Sequence, residues 1–170
     1  MLLKNVNSLN VTEPRCREAR ELLAAQSVSL GVHFIKKVRA SPHVENMQNL
    51  WGHNRIGKTT KIGEFCDIGN VTIGERCKIQ CHVSIPSGWT IGDDVFIGPG
   101  ARFANDKHPR IGGVFIPQGG RVEDGASIGM GALIGPGVII GPGSMVGMGA
   151  VVLKDVPAGA TVVGNPAREI

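Results

Sequence analysis

Residues 122–152 read Val122-Glu123-Asp124-Gly125-Ala126-Ser127-Ile128-Gly129-Met130-Gly131-Ala132-Leu133-Ile134-Gly135-Pro136-Gly137-Val138-Ile139-Ile140-Gly141-Pro142-Gly143-Ser144-Met145-Val146-Gly147-Met148-Gly149-Ala150-Val151-Val152. An aliphatic anchor returns at every sixth place: Val122, Ile128, Ile134, Ile140, Val146 and Val152. Glycine follows the anchor at Gly129, Gly135, Gly141 and Gly147. Four places after each anchor stands a small or branched residue: Ala126, Ala132, Val138, Ser144, Ala150 and Val156.

The same count extends backward. Ile73, Ile79, Ile85, Ile91, Ile97 and Phe103 form a second run, and Ile56, Ile62 and Ile68 an earlier one. The step from Ile68 to Ile73 is one residue short, and between Phe103 and Val122 about 13 residues are inserted into one hexad. A fixed short period is the mark of a repeat architecture. Here it predicts a three-sided coil of 18 residues per turn, with a short strand on each side and a corner after it. Anchors and small residues point inward, because so narrow a prism cannot hold two large side chains at one level. The glycine after the anchor is expected to serve the corner, where a positive φ is costly for other residues. Successive coils stack about 4.8 Å apart through parallel-sheet hydrogen bonds. Each buried Ile or Val contributes roughly 1.5–3 kcal/mol, and the core grows coil by coil.

Composition agrees. Among 170 residues there are 25 Gly and 10 Pro, a bias that otherwise signals low complexity. With 42% hydrophobic and 19% charged residues, the chain lacks the balance of a disordered one, so its glycines are ordered and periodic. Tyr is absent and there are two Trp, so Ile, Val and small residues fill the core. A net charge of +4 suits anionic small ligands and gives no support to nucleic-acid binding. No apolar stretch approaches the length of a membrane span. Residues 1–10 lack the charged start and apolar run of a secretory leader. Cys16, Cys66, Cys77 and Cys81 form no CxxC pair and fit no zinc spacing, so no metal is expected and a reducing cytoplasmic compartment is.

Three parts follow. Residues 1–50 carry no hexads and form an N-terminal extension; Thr12-Glu13-Pro14 reads as a helix start before the helix-forming run Arg15–Gln26. Residues 51–157 form the coil, interrupted by a loop over 104–121. Residues 158–170 close it, after Val156-Pro157 stops the repeat.

Departures from the hexad are where chemistry is sought. The loop, with Asn105-Asp106-Lys107-His108-Pro109-Arg110, is the largest. His82 sits three after anchor Ile79, facing outward, and Gly100, Gly131 and Gly149 continue its column upward. A histidine beside a glycine-lined edge leaves room for a ligand. Cys66 and Cys77 occupy inward small positions as apolar fillers, while Cys81 faces outward next to His82. Trp89 occupies an inward small position where an indole should not fit. Its turn is therefore expected to distort, or the ring to swing out to a subunit contact, in a packing role. His33, His43 and His53 are read as structural or surface residues.

These residues resemble a known group. The repeats, the loop Phe103-Ala104-Asn105-Asp106-Lys107-His108-Pro109-Arg110 and the ending Val152-Leu153-Lys154-Asp155-Val156-Pro157 with Gly164-Asn165-Pro166-Ala167-Arg168 look like hexapeptide acyltransferases. Within these, the chain is most similar to the N-acetyltransferases of nucleotide-linked amino sugars, which serve surface-polysaccharide synthesis. The resemblance spans residues 56–170 and implies a left-handed parallel β-helix, although the usual crossover rule favours the right hand. It implies a homotrimer with sites between subunits, and acetyl-coenzyme A as co-substrate. The carrier's arm would lie near Met130, Met148 and Leu153 and its phosphates near Lys154 and Arg168; two cations suit phosphate. The acceptor would be a small-molecule nucleotide sugar, held by Asn105, Asp106 and Arg110. His82 and His108 are the candidate bases, imidazole being suited to accepting a proton at neutral pH. His108-Pro109 also resembles the loop of galactoside and maltose O-acetyltransferases, which leaves the acceptor atom open between nitrogen and oxygen. Two further readings are a γ-type carbonic anhydrase, which needs three converging histidines, and a non-enzymatic β-helix scaffold, which needs no polar loop.

Overall fold

A computed structural model describes residues 48–170; the helix expected over Arg15–Gln26 lies outside them. Within the described residues the chain is a three-sided parallel β-helix. Face A stacks β1 (Asn49–Leu50), β4 (Asp67–Ile68), β7 (Ser84–Ile85), β10 (Arg102–Phe103), β13 (Leu133–Ile134) and β16 (Val151–Val152). Face B stacks β2 (Arg55–Ile56), β5 (Thr72–Ile73), β8 (Thr90–Ile91), β11 (Arg121–Val122) and β14 (Ile139–Ile140). Face C stacks β3 (Lys61–Ile62), β6 (Lys78–Ile79), β9 (Phe96–Ile97), β12 (Ser127–Ile128), β15 (Met145–Val146) and β17 (Thr161–Val163), and β18 (Arg168–Glu169) folds back antiparallel on β17.

The register is the one the anchors dictate. Ile73 stands on Ile91, Ile79 on Ile97, and Ile134 on Val152. The short step shows as Ile68 over Ile85, and the insertion as Phe103 over Ile134. The coil begins with β1, which pairs in register with β4 at Asn49↔Asp67. It also continues past Pro157: Val156 bridges to Ile140, and β17 pairs with β15. The inward column is closed to water, with Ile68, Ile85, Ile97, Ile128 and Ile140 fully buried. Cys66 and Cys77 are buried small fillers, each pointing its thiol at a carbonyl of the next coil, Gln80 and Gly92. Burial pushes both thiols above their ordinary range.

Two expectations change. The glycine after the anchor is not left-handed. Its need is space: a Cβ on Gly98 would lie 2.7 Å from the Met130 nitrogen, and one on Gly129 2.5 Å from that of Met148. The corner turns two places later, at residues such as Gly100 (φ 68) and Gly131 (φ 67). Close stacking of coils and reversal of the chain are thus separate demands, met by separate glycines.

The second change is Trp89. Its ring does not swing out; it lies inside the coil, 1% exposed. One coil above, the position that elsewhere carries a small side chain holds Gly120, and a Cβ there would come within 2.7 Å of the ring. The indole fills that vacated space. It meets Phe103 edge-on at 4.9 Å between centroids, and Nε1 donates to the Ala104 carbonyl at 3.0 Å. A buried indole needs such a partner.

Candidate functional site

Three edges run along the coil, and they are not chemically alike. At each corner the second residue after the anchor, unless it is proline, presents its backbone N–H outward. On the edge between faces B and C those of Lys58, Glu75 and Asp93 are taken. Asp124 Oδ1 accepts from the Asp93 N–H and Asp93 Oδ1 from the Glu75 N–H, both at 2.8 Å; Glu75 in turn accepts from the N–H groups of Lys58 and Thr59. Hydrogen bonds from the Thr59 hydroxyl, and from the Thr59 and Lys58 N–H groups, hold the Glu75 carboxyl below the usual carboxylate range. Beside this ladder Arg76 makes a fork on Asp94, with Nε–Oδ1 and Nη2–Oδ2 both 2.7 Å. That fork depresses the Asp94 carboxyl and raises the guanidinium in turn.

The edge between faces C and A is different. Its corresponding residues are Cys81, Pro99, Met130 and Met148, and among the described residues the N–H groups of Cys81, Met130 and Met148 make no hydrogen bond. The left-handed column beside them is Phe65, His82, Gly100, Gly131 and Gly149. Its upper three members lack side chains, and a Cβ added at any of them would meet nothing within 4 Å. Above His82 the edge is therefore a shelf open to solvent, walled by the exposed thioether side chains of Met130 and Met148. His82 stands at its foot, exposed, with its own N–H bonded to the Glu64 carbonyl at 2.9 Å. Its ring stacks on that of Phe65, centroids 5.0 Å apart and planes inclined by 15°.

The loop leaves from the third edge, between faces A and B. Asn105 is half-buried at its base: Nδ2 donates to the Ser87 carbonyl at 2.9 Å, and the Asn105 carbonyl accepts from the Gln118 N–H at 2.7 Å. Asp106 Oδ1 accepts from the His108 N–H at 2.8 Å, closing a local turn. His108 and Arg110 are exposed, as is the apolar tip of Ile111, Val114, Phe115 and Ile116. Leu153 stands on this same edge, against Gly135, with Lys154 next to it. Arg168 lies on β18, at the closing end of face C, and Nη1 donates to the Ala167 carbonyl.

Met130, Met148 and His82 thus share one edge. Asn105, Asp106, His108 and Arg110 share the next with Leu153 and Lys154. Face A separates the two groups within one chain. From His82 to Ser87 the chain spans at most roughly 16 Å, and no hydrogen bond or ring contact joins His82 to His108. Among the described residues no three His, Cys, Asp or Glu side chains are grouped so as to hold a metal. Phe65 escapes sequence reasoning, yet a signal exists: it is a large residue in the hexad phase that later coils reserve for glycine.

Residues 119–154 match the family described as bacterial transferase hexapeptide, six repeats. The chain carries the hexapeptide repeat of bacterial transferases. It is 36% identical over 115 residues to the bifunctional protein GlmU of Rubrobacter xylanophilus, covering 65% of this chain and 22% of that one. It is 46% identical over 101 residues to the chloroplastic serine acetyltransferase 1 of Arabidopsis thaliana, covering 59% of this chain and 26% of that one. The hexapeptide-repeat chain therefore spans about a quarter of the length of these curated relatives. Its fold is also that of AntD, an N-acyltransferase from Bacillus cereus crystallised as its S84C mutant with dTDP-4-amino-4,6-dideoxyglucose and coenzyme A. There the TM-score is 0.60 at 22% identity, over 72% of this chain and 79% of that one.

Proposed function

We propose that the chain is an acetyl-coenzyme A-dependent N-acetyltransferase acting on a nucleotide-linked amino sugar. The observation that carries this reading is the edge between faces C and A, with unpaired N–H donors at Cys81, Met130 and Met148 beside a column that has no side chains. A slender amide-bearing arm fits such a shelf. Its carbonyls would meet the open donors, its methylenes would lie against the two methionines, and any Cβ at Gly131 or Gly149 would stand in its path. Arg168, at the closing end of face C, supplies positive charge for phosphates, and Lys154, on the neighbouring edge, would do so from another copy. Similarity to a serine acetyltransferase supports the reaction class, and the amino-sugar acceptor rests on the likeness of the loop and of the closing segment.

When bound, acetyl-coenzyme A supplies an activated acetyl thioester. The chain's own part is to orient and to move a proton. His82, at the foot of the shelf, accepts the proton that the attacking amine loses. A backbone N–H of the shelf is aimed where negative charge develops on the carbonyl oxygen. Holding both reactants on a rigid edge removes much of the barrier by itself.

Asn105, Asp106, His108 and Arg110 stand on the neighbouring edge, with face A between them and the shelf. A homotrimer answers this, since the loop of one copy then meets the open edge of another. The exposed apolar tip at Ile111, Val114, Phe115 and Ile116 suits such a contact. The same reading puts the chain in the cytoplasm, where acetyl-coenzyme A and reduced thiols coexist. The test is a steady-state assay with acetyl-coenzyme A and a panel of nucleotide amino sugars and free hydroxyl sugars. Turnover on the amines is expected. Turnover confined to hydroxyl sugars would move the assignment to O-acetylation, the alternative that His108-Pro109 favours.

A further inference from the structure

Four residues other than glycine adopt a left-handed backbone among the described ones: Phe65 (φ 57), Arg76 (φ 56), His82 (φ 59) and Asp94 (φ 56). Such a conformation costs a side-chain-bearing residue about 1–2 kcal/mol. The same phase in the later coils is filled by Gly100, Gly125, Gly131, Gly143 and Gly149, so the fold does not require the strain. The four fall into two pairs, each made of successive members of one column. Arg76 and Asp94 form an ion pair on the edge between faces B and C. Phe65 and His82 form the ring stack on the edge between faces C and A. In both, one strained residue holds the next. Only the second pair stands on the edge where no side chain caps a corner N–H.

We propose that Phe65 is a positioning residue for His82. The argument runs from geometry. The His82 side chain is exposed, and its only described ring contact is the Phe65 face. An exposed imidazole turns freely about its side-chain torsions on a ps–ns timescale. Laid flat on a neighbouring ring fixed one coil below, it keeps one plane, so its nitrogens are held in that plane at the foot of the shelf. Phe65 touches no reacting atom; it acts through the orientation of His82. A misplacement of about 1 Å of a catalytic group is enough to lower a rate as much as a hundredfold. This inference rests on the reading of His82 as the proton acceptor.

The experiment compares four variants of the full chain: Phe65→Leu, Phe65→Tyr, His82→Gln and Asp94→Asn. Leucine keeps bulk and the same backbone strain but removes the ring; tyrosine keeps the ring. Imidazole proton resonances of His82, assigned by their loss in His82→Gln, are followed by NMR together with kcat and KM for acetyl-coenzyme A. We expect Phe65→Leu to shift the His82 resonances downfield, as the ring current is lost, and to lower kcat about tenfold with KM unchanged. Phe65→Tyr should retain both the resonances and the rate. Asp94→Asn, which weakens the pair on the other edge, should retain kcat. Unmoved resonances in Phe65→Leu, or moved resonances with an unchanged kcat, overturn the inference. A slow His82→Gln beside a fast Phe65→Leu sinks the positioning role alone. An unimpaired His82→Gln removes the proton acceptor itself, and the role of Phe65 with it.

Discussion

Replacing Trp89 by alanine tests how the loop is fixed to the coil. The ring is 1% exposed and fills a space that Gly120 vacates in the next coil. Removing a buried aromatic of this size costs about 3–5 kcal/mol. The edge-on contact with Phe103 adds roughly 0.5–1.5 kcal/mol. The hydrogen bond to the Ala104 carbonyl adds little, because Ala104 is exposed and water replaces the indole there. The total, about 4–6 kcal/mol, is a large part of an ordinary domain's stability. Trp89→Phe keeps most of the packing and leaves only the space of the smaller ring, so it should cost about 1–2 kcal/mol. Equilibrium urea unfolding measures both. Hydrogen exchange gives the local readout: the Gln118 amide, bonded to the Asn105 carbonyl beside Ala104, should lose protection in Trp89→Ala before the coil does. A Trp89→Ala protein within about 1 kcal/mol of the parent, with Gln118 still protected, would refute the claim that the indole anchors the loop.

Other perturbations separate the roles of neighbouring residues. His82→Ala should lower turnover of the amine acceptor more than tenfold; an unchanged kcat hands the proton to another group. Gly129→Ala forces a Cβ to 2.5 Å from the next coil's backbone and should lower the melting temperature sharply, whereas Gly131→Ala meets open space and should cost only about 1 kcal/mol of backbone strain while weakening coenzyme A binding in titration calorimetry. Ile134→Asp should prevent folding, since it sets a charge in the core at a 2% exposed site; a native, soluble product by circular dichroism and gel filtration would contradict the register. Glu75 and Asp94 have folded-state values below those of the unfolded chain, so their contribution is complete above about pH 4 and is lost as pH falls through the lower folded values. Asp94→Asn should flatten the acid side of a stability–pH curve and leave the neutral range little changed.

The coil was legible in the sequence because one physical constraint repeats. Each sixth residue must be aliphatic, or the prism loses its filling, so Ile73 over Ile91 and Ile134 over Val152 follow from counting. The columns of the edges were legible for the same reason, and His82 does lie in line with Gly100, Gly131 and Gly149. What counting could not supply depends on pairs of residues in different coils. Trp89 is unreadable without Gly120, which lies 31 residues on and beyond the loop. The spacing Cβ atoms would need at Gly98 and Gly129 is set by the backbone above, not by local torsions. The loop residues are chemically legible, but the edge they leave from decides which of them can meet His82.

The edges differ for a reason that bears on how such a coil acquires a site. Every corner without proline exposes a donor, and a carboxylate one coil above is the simplest way to satisfy it, as Asp124, Asp93 and Glu75 do in succession. A second way is a hydroxyl, as where Ser87 Oγ accepts from the Asn70 N–H. On the edge between faces C and A the residues at that phase from Cys81 upward are cysteine, proline and methionine, none of which reaches down to accept a hydrogen bond. The chain gives up a satisfied donor at Cys81, Met130 and Met148 and, at Gly100, Gly131 and Gly149, a side chain that would shield it. Donors left to water cost little while exposed, and they are worth more once a ligand covers them and excludes that water. The composition of one column out of three thus converts a structural corner into a binding edge, and Met148→Asp should reverse the conversion by capping the Met130 N–H and repelling a phosphate-bearing carrier.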